Sequence, residues 1–191
     1  MNELSDDEAD WALASRGEGE AFGRVFDRHR DRVRRHCLNL VPTLIDAEDA
    51  VASTFLEAWR RRDDIRFVNG SMLPWLLLTA TNVARNLSRT SRRHRIVLAK
   101  LPAPVPHPDP ADSFDDGPAL AALQQLSAKD QQVITLCVIQ DLSEADAAFL
   151  LGVAPGTVKS RLSRAKARLT RLVTNSSASA RILNREASHD F

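Results

Sequence analysis

Prolines interrupt the chain over one internal stretch, and this stretch limits the possible folds more than any other feature. Residues 101–118 read LPAPVPHPDPADSFDDGP and contain six of the nine prolines. Because proline fixes φ and lacks an amide hydrogen, the segment can be neither a helix interior nor a central strand. We predict an extended, semi-rigid spacer between two small domains.

On both sides of the spacer, apolar residues recur mostly at intervals of three, four or seven. This period predicts amphipathic helices at residues 21–40, 46–61 and 73–88, and three or four shorter helices after the spacer. Two of these shorter helices follow a serine, Ser127 or Ser143, with an aspartate three residues later, a pattern typical of a helix N-cap. No segment alternates with period two long enough to form a strand, so the predicted fold class is all-α.

The formal net charge is only +1, but the charges are unevenly distributed. Basic residues crowd into residues 85–95 and 159–171, whereas acidic residues collect near the N-terminus, at 46–49 and in the spacer. Two basic patches separated by acidic surface predict two contacts with a polyanion. For either patch alone, an ordinary solvated helix face is the alternative.

Several other classes of protein fit the sequence poorly. The longest apolar stretch, residues 72–78, is far shorter than the ~20 residues of a membrane span. The acidic start is unlike a signal peptide, so we expect a cytoplasmic protein. Cys37 and Cys137 lie in no metal-binding pattern, and we expect two small buried side chains, no metal and no other cofactor. The scattered histidines and the absence of a nucleotide-binding glycine motif predict no catalytic activity.

Residues 142–171, LSEADAAFLLGVAPGTVKSRLSRAKARLTR, contain the most informative motif. Ser143 can cap one helix, Gly152 stands where that helix would end, and Pro155 suits the first turn of the next helix. The second helix has one apolar stripe, formed by Val158, Leu162, Ala165, Leu169 and Leu172. Its other face is polar and basic, with Thr157, Ser160, Arg161, Arg164 and Arg168. The pattern predicts a DNA-binding helix-turn-helix, and a helical hairpin with a basic surface is the alternative.

Three segments resemble parts of the extracytoplasmic-function sigma factors. Residues 156–169, GTVKSRLSRAKARL, resemble the recognition helix of the family's fourth domain. Residues 46–61, DAEDAVASTFLEAWRR, resemble the polymerase-binding helix of the second domain, and residues 75–95 resemble the helix that opens the minus-ten element. The resemblance covers roughly residues 20–95 and 119–173 and lacks the third domain of larger sigma factors. It implies a factor for promoter recognition in transcription initiation.

The resemblance and the composition together suggest a domain organisation. It consists of an acidic N-terminal segment (1–19), sigma domain two (20–98), a Pro/Asp-rich linker (99–118), sigma domain four (119–173) and a mobile C-terminal tail (174–191). Ala147 stands where the family usually has a larger aliphatic residue, and Phe149 where it usually has a polar one. A small roll of the helix that buries Phe149 would explain both departures, whereas an exposed Phe149 would be available to a partner.

Three groups of site residues follow from the resemblance. The group expected to bind the clamp helices of the polymerase β′ subunit is Asp49, Ser53, Thr54, Glu57 and Ala58. The group expected around the minus-ten element, including the pocket for a flipped base, is Phe67, Asn69, Asn82, Arg85, Asn86, Arg89, Arg92 and Arg93. The group expected at the minus-thirty-five element is Pro155, Gly156, Thr157, Lys159, Ser160, Arg161, Arg164 and Lys166. For Phe67, stacking on a base and a core position are equally open, whereas Phe55 and Trp59 are expected in the core.

The implied partners are core RNA polymerase, through its β′ clamp helices and β flap region, and promoter DNA. An anti-sigma factor is a further partner that the family suggests, and no membrane insertion is expected. The alternative function is a helix-turn-helix transcriptional regulator that binds duplex DNA without acting as a polymerase subunit. Such a regulator should have a ligand pocket or dimer interface at residues 20–95, where this sequence has an acidic helix and an arginine-rich helix.

Overall fold

The computed structural model describes the backbone of residues 6–98 and 118–186, and the side chains of residues 6–88 and 121–175. The chain divides into two compact units, Met1–Ser113 and Phe114–Phe191. The described residues are helical apart from turns and one isolated bridge between Val68 and Ser71. The all-α class with two small helical units is confirmed. The predicted spacer lies outside the described residues, except for Pro118.

Within the described residues, the first unit has four α-helices. They are α1 (Asp6–Ser15), α2 (Gly19–Leu38), α3 (Leu44–Arg60) and α4 (Leu73–Leu98). A short 3-10 turn, Arg62–Asp64, follows α3. Periodicity therefore located α2, α3 and α4 correctly, although α4 continues past the predicted end at Ser88. Helix α3 packs against both α2 and α4, which places the core between these three helices.

The N-terminal segment differs from the expectation. The sequence suggests an acidic stretch outside the domain at residues 1–19, but α1 packs against α2. Trp11 and Ala14 are buried, and the Trp11 ring lies 6.0 Å from that of Phe22. Asp7 and Asp10 are also buried, where they pair with basic residues of α2. A cluster of acidic residues suggests a solvated surface as long as no partners are known for it. Here the partners are basic residues of the next helix, α2.

A buried histidine gives the first unit a pH-dependent stability. The His36 ring is packed beside Thr81 of α4, with 2.9 Å between Nε2 and Oγ1. Burial, opposed in part by a hydrogen bond to the Leu77 carbonyl, lowers the pKa of His36 to about 4. Above about pH 6.5, His36 is neutral in both the folded and the unfolded chain. Below that pH the unfolded chain takes up a proton that the folded chain does not, so stability falls as the pH drops towards 4.

We therefore expect the free energy of unfolding to fall by about 2–3 kcal/mol between pH 7.5 and pH 4.5 on account of His36. The measurement is urea denaturation of the full chain at both pH values, for the wild type and for His36→Gln. Because glutamine does not titrate, the variant should lose most of this difference, whatever its stability at pH 7.5. An equal pH dependence in both proteins would contradict the assignment to His36.

Within the described residues, the second unit contains α5 (Pro118–Gln125), α6 (Ala128–Ile134), a π-helical segment (Thr135–Ile139), α7 (Glu144–Leu151) and α8 (Pro155–Glu186). Helix α8 packs against α5, α6 and α7. It also continues through Glu186, so the tail expected to be mobile from Thr174 begins as helix.

The caps predicted at Ser127 and Ser143 are confirmed. Ser143 Oγ accepts the amide of Asp146 at 3.1 Å, and its hydroxyl donates to the Asp146 carboxylate at 2.6 Å. Ser127 Oγ accepts the amide of Asp130 at 3.2 Å, but the Asp130 carboxylate does not complete the reciprocal pair. It binds Arg168 of α8 at 2.5 Å instead, which ties α6 to α8.

Candidate nucleic-acid and protein interfaces

Helix α7, the turn after it and the start of α8 form the predicted helix-turn-helix. Gly152 ends α7 with φ 65° and ψ 38°, a left-handed conformation that glycine adopts without strain. After the turn, the Ala154 carbonyl accepts the amides of Thr157 and Val158 at the start of α8. Val158 and Ala165 are completely buried, so one stripe of α8 is fixed against the rest of the unit.

The eight residues that the sequence assigns to the minus-thirty-five element lie in the first turns of α8, outside its buried stripe. Six are exposed, namely Pro155, Gly156, Lys159, Ser160, Arg164 and Lys166, and Thr157 and Arg161 are half-buried. No acidic residue occurs between Pro155 and Thr174. This part of α8 therefore carries only basic charges of its own, and it begins at a helix N-terminus, where unpaired amides favour an anion.

Arg168 does not share this role. Its Nη1 lies 2.5 Å from Oδ2 of Asp130, whose side chain is buried at the start of α6. The sequence placed Arg168 on the polar and basic side of its helix, and the structure leaves it exposed, but its ion-pair partner lies 38 residues away in the chain. Arg168 joins two helices of the second unit instead.

Ala147 and Phe149 settle the question raised by their departure from the family pattern. Ala147 is completely buried, whereas Phe149 is 55% exposed. The roll of α7 that would bury Phe149 does not occur. Phe149 is therefore exposed on α7, which is the second of the two alternatives.

The residues predicted to bind the polymerase on α3 divide into two groups. Asp49 is exposed and Ser53 and Glu57 are half-buried, so these three can meet a partner. Thr54 and Ala58 are 0% exposed, and the Thr54 hydroxyl donates to the Ala50 carbonyl at 2.7 Å. The prediction is wrong for Thr54 and Ala58 because they lie on the stripe of α3 that packs into the core.

An apolar groove lies beside that face of α3. It has a volume of about 540 Å³ and is lined by Gly17, Gly19, Phe22, Phe26, Ala52, Phe55, Leu56 and Trp59. Phe22 contacts Phe55 and Trp59 edge-on, and Phe26 contacts Phe55. Leu56 is 50% exposed and Trp59 is 37% exposed, so Trp59 is not the core residue that the sequence suggested. Sequence reasoning missed the groove, although the spacing of Ala52, Leu56 and Trp59 places them on one side of α3.

The connection between α3 and α4 ends in a tight hairpin. Val68 and Ser71 exchange backbone hydrogen bonds of 2.9 and 3.0 Å. Between them Asn69 and Gly70 have φ of 50° and 74°, the positive values of a type I′ turn, which Asn-Gly favours. These four residues, Val68–Ser71, are the Asn69 turn. Asn69 is exposed at its tip, whereas Phe67 before it is half-buried, so both roles considered for Phe67 stay open.

Further predicted minus-ten residues lie on α4. Asn82 and Asn86 are exposed and Arg85 is half-buried. Their spacing of three and four places them on one side of the helix. The side chains of Arg89, Arg92 and Arg93 lie outside the described residues, although the backbone there is helical.

Neither cysteine belongs to a cluster of potential metal ligands in the described residues. In the part of the chain that the structure describes, no group of three His, Cys, Asp or Glu residues could hold a metal ion. Cys37 is buried, which raises the pKa of its thiol to about 12, and Cys137 is half-buried. None of the described helices is both long and apolar enough to cross a membrane.

Two family models match the chain. The model described as Sigma-70 region 2 matches residues 25–94, and the one described as Sigma-70, region 4 matches residues 117–169. The first match covers α2, α3 and much of α4, and the second covers the helix-turn-helix. Helix α1 lies before the first match.

Curated proteins with similar sequences are sigma factors. The ECF RNA polymerase sigma factor BldN of Streptomyces coelicolor is 31% identical over 84% of this chain, which spans 63% of BldN. The RNA polymerase sigma factor NccH of Alcaligenes xylosoxydans is 31% identical over 92% of this chain and 99% of NccH. The ECF RNA polymerase sigma factor SigM of Mycobacterium tuberculosis is 32% identical over 82% of this chain and 79% of SigM.

Two solved structures of sequence-similar proteins have related folds. CnrH, solved in complex with the cytosolic domain of CnrY, is 27% identical with a TM-score of 0.61, and the match covers 90% of this chain and 99% of CnrH. The sigma factor RpoE of Bartonella quintana, solved with the anti-sigma factor NepR, is 31% identical with a TM-score of 0.53. That match covers 80% of this chain and 96% of RpoE.

Proposed function

Because this chain belongs to the extracytoplasmic-function sigma factors of the sigma-70 family, we propose that its two units contact different parts of the promoter and the polymerase. The chain directs bacterial core RNA polymerase to a specific set of promoters in transcription initiation. In the proposal, the first unit binds the polymerase and the minus-ten element, and the second unit binds the minus-thirty-five element. The observation that carries the proposal is the basic outward face of α8 on a helix-turn-helix.

The chemistry of α8 suits the major groove of duplex DNA. Arg161 and Arg164 can each form two hydrogen bonds with a guanine edge or with phosphate, whereas Lys159 and Lys166 act as point charges on the backbone. Pro155 and Gly156 are exposed at the helix start, where free amides can bind a phosphate. Thr157 and Ser160 offer hydroxyls to base edges or to the sugar-phosphate chain.

A substitution at Gly156 tests whether the start of α8 approaches the DNA backbone, because the fold does not require glycine at this position. A Cβ at position 156 would have no atom within 4 Å, and its φ is not positive. We expect Gly156→Ala to raise the free energy of unfolding by about 0.5 kcal/mol through the better helix propensity of alanine. If a phosphate approaches the backbone there, the same methyl group should weaken binding to the minus-thirty-five element about fivefold, the loss of roughly one hydrogen bond.

Gly23→Ala in α2 is the matched control, since a Cβ there also meets nothing within 4 Å. Both variants are compared by urea denaturation and by holoenzyme binding to promoter fragments with and without the minus-thirty-five element. Gly23→Ala should change only the stability. Unchanged promoter binding by Gly156→Ala would show that the DNA backbone does not approach this helix start.

The minus-ten site would combine the Asn69 turn with the side of α4 that carries Asn82, Arg85 and Asn86. Flipping a base out of the duplex costs a few kcal/mol, so the protein has to supply stacking and polar contacts that replace those lost. The exposed amide of Asn69 can hydrogen-bond a base edge, and its position on a rigid two-residue turn limits the entropy lost on binding. The polar side of α4 would follow the separated strand.

For polymerase binding, the proposal replaces Thr54 and Ala58 with the apolar groove. Asp49, Ser53 and Glu57 would form a polar rim, and Leu56 and Trp59 would provide apolar contact area. Large aromatic side chains at the centre of an interface commonly contribute most of its binding energy. The β′ clamp helices are the proposed occupant.

The β flap region would be contacted by the second unit, which exposes the side chains of Val138, Ile139 and Phe149.

Three accompanying proposals rest on family membership. Core polymerase acts in the cytoplasm, so we place this chain there. Sigma factors are initiation factors, so we propose that the chain catalyses no reaction itself and that polymerase carries out the chemistry. RpoE was solved with the anti-sigma factor NepR, and we propose that an anti-sigma factor binds this chain and holds it inactive.

In vitro transcription tests the main proposal. Purified full-length chain is mixed with bacterial core RNA polymerase and a pool of promoter fragments from the source genome. Transcripts from a defined subset of promoters, absent with core polymerase alone, are expected. Specific binding to duplex DNA without polymerase, combined with no transcripts, would support the helix-turn-helix regulator instead.

A further inference from the structure

Helix α1 lies outside the residues matched by the sigma family models, yet it contacts both ends of the segment that joins α3 to α4. The Trp11 indole N–H donates to the Arg62 carbonyl at 3.0 Å, near the start of this segment. One helical turn earlier, the Asp7 carboxylate accepts hydrogen bonds near the end of the segment, from the Ser71 hydroxyl and the Met72 amide, both at 3.0 Å. Helix α1 therefore spans the connection that contains the Asn69 turn.

The Asp7 carboxylate also contacts α2. There Arg28 Nη1 lies 2.6 Å and His29 Nε2 lies 2.9 Å away. Burial opposes ionisation, but hydrogen bonds from His29, the Met72 amide and Arg28 keep the pKa of Asp7 well below its usual range. Asp7 is therefore a carboxylate at neutral pH, and it links α2 to the base of the Asn69 turn.

The contacts with Asp7 lie at the base of the Asn69 turn. Val68 and Met72 are buried on either side of the turn, whereas Asn69 is exposed at its tip, and Val68 and Ser71 exchange two backbone hydrogen bonds that close it. Because the turn is short, the position of its base sets the direction in which its tip points. The Ser71 hydroxyl and the Met72 amide are the groups at that base, and both bind the same oxygen, Oδ2 of Asp7.

We propose that Asp7 is a positioning residue for promoter recognition, which fixes the Asn69 turn through Ser71 and Met72 so that its tip meets the minus-ten element in one orientation. The inference rests on the proposed function, in which this turn contacts the minus-ten element. Asp7 itself touches no DNA in this arrangement. Its loss should therefore reduce base discrimination at the minus-ten element and leave the minus-thirty-five preference unchanged.

Asp10 provides a matched control on the same helix. It also pairs with Arg28, at 2.6 Å, and with Arg24, at 2.7 Å, but it has no contact with the turn among its ion pairs or hydrogen bonds in the described residues. Asp7→Ala and Asp10→Ala both remove a carboxylate that binds Arg28. Only Asp7→Ala should release the turn.

Ser71→Ala tests the contact from the turn, because it removes the hydroxyl that donates to Asp7 and accepts the Leu73 amide at 3.2 Å, while it leaves the ion pairs of α1 and α2 in place. Ser71→Thr keeps the hydroxyl and serves as the conservative variant that should retain function. Should Asp7→Ala fail to fold, which circular dichroism and the unfolding transition would reveal, the comparison of Ser71→Ala with Ser71→Thr decides the question.

The experiment uses holoenzymes formed with each full-length variant and a promoter library in which the minus-ten and minus-thirty-five elements are randomised in turn. Sequencing of the transcripts gives the base preference at each position. We expect Asp7→Ala and Ser71→Ala to lower the preference at one or two minus-ten positions about fivefold, corresponding to the loss of roughly one hydrogen bond. Asp10→Ala and Ser71→Thr should match the wild type. In hydrogen exchange, the Met72 amide should lose protection in Asp7→Ala but not in Asp10→Ala.

Asn69→Ala separates the failure of this inference from the failure of the proposed function. If Asn69→Ala changes the minus-ten preference but folded Asp7→Ala and Ser71→Ala do not, the positioning role is refuted and the proposed function stands. If Asn69→Ala leaves the preference of the wild type unchanged, the turn does not contact the element, and the assignment of the minus-ten site fails together with the inference.

Discussion

Replacing both Arg161 and Arg164 with glutamate is expected to reduce promoter-dependent transcription about 100-fold or more, since each arginine contact to a base or phosphate is worth about 1–3 kcal/mol. Arg164 is exposed and Arg161 is half-buried on α8, and neither forms an ion pair in the described part of the chain. Charge reversal also introduces repulsion from phosphate, which adds to the loss of the contacts. The measurement is single-round transcription by the reconstituted holoenzyme at one fixed salt concentration, because phosphate contacts depend strongly on salt.

Two comparisons separate DNA binding from other effects of this double variant. Its affinity for core polymerase should equal that of the wild type, since the proposed clamp-helix contact lies in the first unit. Arg171→Glu is the control for charge reversal on the same helix, because Arg171 is exposed but lies beyond the predicted contact residues. A double variant that transcribes normally would remove α8 from the promoter interface.

The second unit could be predicted closely from its sequence because its signals are local. A serine cap, a left-handed glycine and a proline at the next helix start each act within a few residues, and the apolar stripe of α8 shows which side is buried. The contact between Arg168 and Asp130 escaped this reasoning. Helical position alone cannot tell a basic residue that faces DNA from one that meets an acid 38 residues earlier in the chain.

Helix α3 shows why polarity is a poor guide to a buried helix face. Small residues such as Ala50, Thr54 and Ala58 allow neighbouring helices to approach closely, and Thr54 satisfies its hydroxyl on its own helix. Thr54 and Ala58 look neutral in the sequence and were expected at the polymerase interface. Leu56 is strongly apolar and looks like core, yet it is 50% exposed. The groove became visible only when the packing of α2 against α3 was known.

Helix α1 shows a second limit on what can be predicted from the sequence. Its acidic residues suggested solvent exposure, but Asp7 and Asp10 are buried by partners on α2 and, for Asp7, by groups more than 60 residues away. No periodic pattern records such a contact, because hydrogen-bond partners distant in sequence leave no local spacing. The start of α3 was also predicted incorrectly, but by only two residues. Thr43 caps it through the amide of Asp46, so the helix begins at Leu44, before the predicted start at residue 46.

Introducing a charge into the apolar groove should weaken the binding of core RNA polymerase about as strongly as the double arginine variant reduces transcription. We expect Leu56→Asp to weaken the affinity for core RNA polymerase about 100-fold, because an unpaired carboxylate would have to be desolvated at the centre of the proposed clamp-helix contact. The side chain is half exposed in the free protein, so its replacement should change the free energy of unfolding little. Binding is measured by titrating labelled chain with core polymerase in the absence of DNA.

Ile45→Asp is the matched control, because Ile45 lies on the same helix and is 74% exposed but does not line the groove. An acidic residue there is also favourable for the helix, since it lies in the first turn of α3. Ile45→Asp should therefore bind polymerase within about threefold of the wild type, as expected for a surface change of roughly half a kcal/mol. Equal affinities for the two variants would place the polymerase contact elsewhere on the first unit. A loss of affinity with Leu56→Asp alone would identify the groove as the main source of binding energy. The acidic side chains at its rim could not explain such a difference, because Asp49 and Glu57 are retained in both variants.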